Sequence, residues 1–392
     1  MVSNRRMART TQGVLPHGDR SGSSDERTGV RVDTPFTVCQ LMTRYDQLPV
    51  SISGPAAWLG ADMTQREDEW LVPLSEHDIA DLERAAQHYL ALGRDVGEIT
   101  AADFPLETFG THLAELKLKL LHGIGFEVLR GLPVARYDQL FSATIFCGIG
   151  AHLGSARSQN AEGHILGHVR DTGASSRDPN TRIYQTAERQ SFHTDSADIV
   201  GLLCLQDAKE GGESLLVSAL AIYNRMRAER PDLLDRLFDP IATDRRGEVP
   251  PGAKPYMEIP VFNWHAGHLT VFYQRQYIDS AQRFEGAMRL TPAHEEALDM
   301  LDALANDPDM HVRMRLEQGD MQFVYNHSQL HDRTDFIDWP EPERRRHLMR
   351  LWLSPSGDRE LPECFTQRYG SIEIGDRGGI ITEHTVLSAP ID

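Results

Sequence analysis

Ser191-Phe192-His193-Thr194-Asp195 opens a run, continuing to Leu205, that is rich in β-forming residues. Residues i and i+2 of a strand point to the same face. The run therefore sets an imidazole (His193) beside a carboxylate (Asp195). Two other His-x-acid pairs occur, and their surroundings separate them from this one. His17/Asp19 lies in an Arg-, Ser- and Gly-rich stretch that cannot preorganise a site. His294/Glu296 falls in a helix expected over 292–305, where positions i and i+2 diverge by about 200°. The chain has 17 histidines, so chance pairs are expected. A lone pair of this kind is more often a surface hydrogen bond than a ligand pair.

Helices dominate the first third of the chain. Ser75-Glu76-His77-Asp78 reads as a capping box. Ile79, Leu82, Ala86, Tyr89 and Leu90 then recur at helical spacing, and Gly93 closes the run. Leu106, Phe109, Leu113, Leu116 and Leu120 share one face of a second helix that ends near Gly123. A short strand is expected at 125–131 and a third helix at about 137–152. Residues 172–181 read as an exposed loop. Farther on, the spacing predicts a helix over 219–238. Strands follow at 259–264, 268–278, 311–316 and 321–326, Thr291-Pro292 opens the helix 292–305, and a last strand covers 346–353. Strands with helical insertions indicate an α+β class rather than a βαβ repeat.

A second imidazole would complete the 2-His-1-carboxylate facial triad, which leaves open positions on Fe(II). His331, in Tyr325-Asn326-His327-Ser328-Gln329-Leu330-His331, is the best candidate and His327 the runner-up. On the last strand Arg346, Leu348, Arg350 and Trp352 share one face. Both faces of that strand are largely apolar, so two arginines are expected to be buried, and a buried guanidinium needs an anionic partner. An internal ion pair answers that need; so does a bound carboxylate.

His-x-Asp, a His 136 residues after the Asp, and arginines 15 and 19 residues after that His form an ordered set. With Gly211-Gly212-Glu213-Ser214, Asn326-x4-His331 and Arg346-x3-Arg350, the sequence resembles the taurine dioxygenase (TauD/TfdA) family of Fe(II)/2-oxoglutarate-dependent oxygenases. The match runs from about 190 to 355, and more loosely from 120 onward. The resemblance implies a double-stranded β-helix, a cupin-like jelly roll with flanking helices. The chain is expected to divide into a disordered tail over 1–35, whose composition lacks large apolar residues, a helical segment over 36–125 packed on the core, and the oxygenase domain over 126–392. The resemblance also implies that His193, Asp195 and His331 hold iron and that Arg346 or Arg350, with Arg346 ahead, anchors 2-oxoglutarate. The other arginine would reach an anionic part of the substrate. Ser214 would bond the same 2-oxoglutarate carboxylate. The implied cofactors are Fe(II), 2-oxoglutarate and O2, the products succinate and CO2. Asp195 argues for oxygenation, desaturation or cyclisation rather than halogenation. Gln159, Asn160, Tyr184, Ser196, Asp198 and Asn326 are candidate pocket residues, with Asp198 expected to cap or face away.

The net charge of −18 argues against nucleic acid as a partner. No apolar run reaches 18 residues, which argues against a membrane span. Cys39, Cys147, Cys204 and Cys364 are far apart, without CxxC, and fit a reducing, cytoplasmic setting. No GxGxxG or P-loop motif occurs. A small organic substrate is expected: an amino acid, an amine or a secondary metabolite. A homo-oligomer is compatible with the fold and not required by it. Two competing readings are a non-catalytic cupin-like binding protein and a zinc hydrolase. Succinate release separates the first from an oxygenase, and the second leaves both arginines and Ser214 without a purpose.

Overall fold

The computed structural model describes residues 48–160, 162–174, 182–250, 252–380 and 385–391. The expected tail over 1–35 and most of the expected loop over 172–181 lie outside them. The described residues all fall within one compact unit, residues 43–392.

From Gln190 onward the chain crosses repeatedly between two sheets. The large sheet runs Leu71–Pro73, Phe126–Arg130, Met321–Tyr325, Ile199–Gln206, His347–Ser354 and Ser155–Ala156, with Leu166–Val169 also paired to His347–Ser354. The small sheet runs His311–Met314, Ser214–Ser218, Gln329–Arg333 and Gln190–His193. Alternation of this kind makes the double-stranded β-helix. Residue periodicity explains the layers. Met321, Phe323 and Tyr325, with Met349, Leu351 and Leu353, face the helices. Val324 and Leu348 face the space between the sheets with Leu216, Val312 and Met314.

Three helices, Glu76–Ala91, Phe109–His122 and Gln139–Leu153, cover the outer face of the large sheet. The first carries the expected capping box: the Ser75 N–H donates to Asp78 Oδ2 at 2.9 Å and the Asp78 N–H to Ser75 Oγ at 3.2 Å. Asp81, buried in that helix, accepts from the backbone N–H groups of Glu107, Thr108 and Phe109. It thereby caps the second helix and ties the two together. Ala219–Glu229, Pro231–Arg236 and Pro292–Ala305 cover the small sheet.

Three expected elements come out differently. The helix over 219–238 breaks at Arg230, because Pro231 cannot donate a backbone hydrogen bond. The strand over 259–264 divides at Pro260 into Tyr256–Ile259 and Phe262–His265. The strand over 268–278 stops at Val271, and Arg275–Ala281 is a helix carrying an i,i+4 pair between Arg275 and Asp279.

Candidate active site

The strand Gln190–His193 pairs antiparallel with Gln329–Arg333, and His193 and His331 are direct cross-strand partners. Their rings lie 4.1 Å apart, centroid to centroid. Asp195 follows just beyond the first strand. Its backbone is clamped by Asn326, whose Oδ1 accepts from the Asp195 N–H at 2.9 Å. The Asn326 amide donates to the carbonyls of Asp195 (2.6 Å) and Ala197 (2.7 Å). Thr194 is pinned to Tyr273 by three further bonds, one of them from the Thr194 N–H to the Tyr273 carbonyl at 2.8 Å. The turn carrying Asp195 is thus fixed on both sides.

His193, Asp195 and His331 each offer a ligand atom, and these atoms all lie within 4.8 Å of one another. His193 Nε2 is 3.9 Å from Asp195 Oδ1, and His331 Nε2 is 3.8 Å from Asp195 Oδ2. His193 Nδ1 bonds the Ser191 carbonyl at 2.9 Å. That contact puts the proton on Nδ1 and leaves the Nε2 lone pair for a ligand role, here taken up by the Gln190 amide at 2.8 Å. Burial, with His331 opposite, pushes His193 down to about 3, so its imidazole is neutral. Burial alone would raise the Asp195 carboxyl. The Arg350 guanidinium and the neighbouring imidazoles instead hold it well below the usual carboxylate range. Arg350 Nη1 and Trp352 Nε1 donate to Asp195 Oδ2 at 3.1 and 2.9 Å. The set is two neutral-capable imidazoles and one anchored carboxylate, a donor set that suits Fe(II).

The two arginines differ in what they already hold. Arg350 spends its donors on Asp195 and on Gln159 Oε1 (2.7 Å), and it lies over the Tyr184 ring. Arg346 is buried, its guanidinium packs over Phe336, and its Nη1 has no hydrogen-bond partner. It lines a narrow cavity with His193, Asp195, His331, Ser214 and Gln322. Ser214 Oγ donates to Gln322 Oε1 at 3.0 Å. The Gly211-Gly212 turn is required here. Both residues have positive φ (+72° and +73°), and a Cβ on Gly212 would come within 3.1 Å of Arg346 Nε.

Other expected residues lie elsewhere. His327 is not near the triad; its Nε2 bonds Asp198 Oδ1 at 2.6 Å. Asp198 faces away from the ligand pair, as one of its two expected placements has it, but into a second buried cluster rather than toward solvent. It is fully buried and is held below the usual carboxylate range by His327 and Arg377, against the opposing effect of burial. Arg377 donates to Asp198 (2.9 Å) and to Asp358 (2.8 Å). Asp198, His327 and Asp358 also place ligand-type atoms together, but the guanidinium of Arg377 already occupies the cation's place. Asn160 turns away to His164. Gln159, Tyr184 and Ser196 do approach the site, Gln159 by bonding Arg350 and the other two by lining the adjacent chamber. Sequence reading missed Gln190, Gln322 and Arg377 altogether. Trp352 was placed on the correct face without its role as a donor to Asp195.

The family model for the taurine catabolism dioxygenase TauD, TfdA family matches residues 88–352. FR-33289 synthase of Streptomyces rubellomurinus is 34% identical over 324 residues, which cover 81% of this chain and 95% of that protein. The taurine hydroxylase-like protein SAT17 of Stachybotrys chartarum is 32% identical over 338 residues, covering 81% and 86%. Among solved structures, asparagine oxygenase in complex with Fe(II), hydroxyasparagine and succinate aligns with TM-score 0.57 at 18% identity, over 72% of this chain and 93% of that one. The non-heme iron oxygenase OrfP in complex with Fe and alpha-ketoglutaric acid gives TM-score 0.53 at 16% identity, over 72% and 93%. At such identities the structural likeness speaks for the fold.

Proposed function

The chain belongs to the taurine dioxygenase TauD/TfdA family and is an Fe(II)- and 2-oxoglutarate-dependent dioxygenase, and on that premise we propose that it hydroxylates a small organic metabolite at the His193–Asp195–His331 centre. The observation that carries the assignment is the convergence of those three ligand atoms beside a buried arginine with an unpartnered Nη1.

In this reading His193 Nε2, His331 Nε2 and the Asp195 carboxylate hold the metal. Arg350 and Trp352 fix one oxygen of Asp195, so the other is presented to the ion. Arg346 receives the distal carboxylate of 2-oxoglutarate, and the Ser214 hydroxyl turns from Gln322 to assist it. When bound, the iron with 2-oxoglutarate and O2 supplies the oxidant, with succinate and CO2 as co-products. Val200, Leu202, Leu316 and Leu348 line the same cavity and exclude water from it. Substrate approaches past Tyr184, in the chamber that Arg350 shares with Asp195. We also propose the division into a helical segment over 36–125, of which residues 36–47 lie outside the described ones, and an oxygenase domain over 126–392. It is supported by the packing of Glu76–Ala91 and Phe109–His122 on the large sheet. Among the described residues no helix is long and apolar enough to cross a membrane. Cys147, Cys204 and Cys364 are free thiols, which supports a cytoplasmic setting.

The test is anaerobic addition of Fe(II) and 2-oxoglutarate to metal-free protein. A weak visible charge-transfer band that is lost in His193→Ala is the expected result. No band, with tight zinc binding instead, would replace the oxygenase assignment with a hydrolase or a binding protein.

A further inference from the structure

Against a net charge of −18, one side of the site is rich in arginine. Arg182, Arg350 and Arg368 all line the chamber next to Asp195. Arg368 also forms part of the wall of a larger outer cavity of about 820 Å³, together with Arg157, Arg245 and Lys254. Arg368 therefore stands between the metal centre and the outer cavity. Its Nε donates to the hydroxyl of Ser196, the residue that follows Asp195.

Most of these cations have a carboxylate. Arg350 pairs with Asp195, Arg182 with Glu248, Arg157 with Asp376 at 2.5 Å and Lys254 with Glu258 at 3.2 Å. Glu248 and Asp376, the two acids on the outer cavity wall, are thus already engaged. Two arginines are left over. Arg368 is bonded only to the Ser196 hydroxyl. Arg245 is buried and donates only to the carbonyls of Lys254 (3.1 Å) and Gln367. Among the described residues neither forms an ion pair, and each still has guanidinium N–H groups to give. Arg245 bonds the carbonyl of Gln367, the residue before Arg368, and both arginines line the same cavity, so Arg368 adds to desolvation in lowering the pKa of Arg245. Desolvation and the nearby Arg182 oppose the charge on Arg368, with Glu248 acting in its favour. Two arginines held together with no carboxylate bonded to either are less favourable in the free protein than when an anion lies between them. Arginine forks match the geometry of oxyanions.

We propose that Arg368 and Arg245 form an oxyanion subsite that holds a phosphate or carboxylate group of the substrate at the end remote from the oxidised carbon. This rests on the oxygenase reading for its biological sense, because the subsite lies outward from the metal centre beyond Ser196. It commits the substrate to an anionic, extended molecule whose far end fills the outer cavity.

The test is isothermal titration of the metal-free full-length protein with inorganic phosphate and, separately, with acetate at low salt. Saturable phosphate binding that weakens at least about ten-fold in Arg368→Gln and in Arg245→Gln, yet is unchanged in Arg346→Gln, is the expected result. Arg368→Lys should keep most of the affinity. Saturable acetate binding without phosphate binding, with the same dependence on the variants, supports the subsite and assigns a carboxylate. Absence of binding of either anion to the wild type, or equal binding by wild type and both glutamine variants, overturns it. Thermal melting checks each fold. If Arg368→Gln does not fold, equal binding by Arg245→Gln and wild type is sufficient to overturn the proposal. A missing charge-transfer band with an intact anion subsite would remove the oxygenase reading and leave the subsite standing.

Discussion

Two buried polar clusters, whose carboxylates Asp195 and Asp198 are three residues apart in the sequence, are built from the same residue types. One is His193, Asp195 and His331; the other is Asp198, His327 and Asp358. They differ in closure. In the second, Arg377 bridges both carboxylates, His327 and Ser354 bond Asp198, and Tyr325 bonds Asp358 at 2.5 Å. Its two negative charges have a cation in place. In the first, the nearest arginine reaches one oxygen of the carboxylate, and the imidazoles stand 3.8 to 3.9 Å from it. A cluster of ligating residue types is thus a weak sign of a metal. The stronger sign is a cluster whose own chain leaves its donors incompletely used.

The comparison is broken most sharply by single substitutions in each cluster. His193→Ala or His331→Ala should abolish iron-dependent succinate release. His327→Ala should leave Fe(II) binding in place and lower the melting temperature instead. Equilibrium dialysis with iron decides this, and iron lost equally in all three variants would erase the distinction. Next, Arg346→Ala should weaken 2-oxoglutarate binding by about 100-fold, since it removes a charge-assisted partner from a buried carboxylate. Arg350→Ala should act chiefly on substrate and on metal affinity. Titration of the charge-transfer band measures both, and an equal loss in the two variants would show that the arginines share the anchor. Arg377→Met should destabilise the fold by about 3–5 kcal/mol, because two buried carboxylates lose their cation. Denaturant unfolding reads this directly, and a loss under about 1 kcal/mol would mean that the cluster is hydrated.

The smallest effect lies away from both clusters. Burial would raise the Asp81 carboxyl, but the backbone N–H groups of Phe109, Thr108 and Glu107 lower it to about 2. Its ordinary value in an unfolded chain is about 3.9. A folded value below the unfolded one contributes stability that is complete above about pH 4. That contribution is lost as the pH falls through about 2. Asp81→Asn should therefore cost about 1–2 kcal/mol at pH 6 and almost nothing near pH 2. Melts at the two pH values check it.

What could be read from the sequence follows the range of the interaction. Ser75 and Asp78 form a cap three residues apart. The alternation of Arg346, Leu348, Arg350 and Trp352 needs only the strand period, and Leu348, Arg350 and Trp352 do face the space between the sheets. The order of the two arginines was less legible, because it depends on which of them Asp195 already engages, and that carboxylate is 155 residues from Arg350. What Asp198 meets where it faces away from the ligands was not legible for the same reason. Its partner Arg377 is 179 residues away, and no local pattern announces the pair. The breaks at Pro231 and Pro260 were legible in principle, since proline removes a backbone donor. The helical and strand periodicity on either side of them masks the breaks.

Asn326 has a consequence for how the centre matures. It sits at the end of Met321–Tyr325 and grips the backbone of Asp195, while the next strand, Gln329–Arg333, carries His331 and pairs with the strand of His193. All three ligands are therefore tied to the short segment from Asn326 to His331, which crosses from the large sheet to the small one, so their spacing is kept by that segment. Little further ordering is needed when an ion arrives. Folding then comes first and metal capture second, and a chelator should strip the ion without melting the protein.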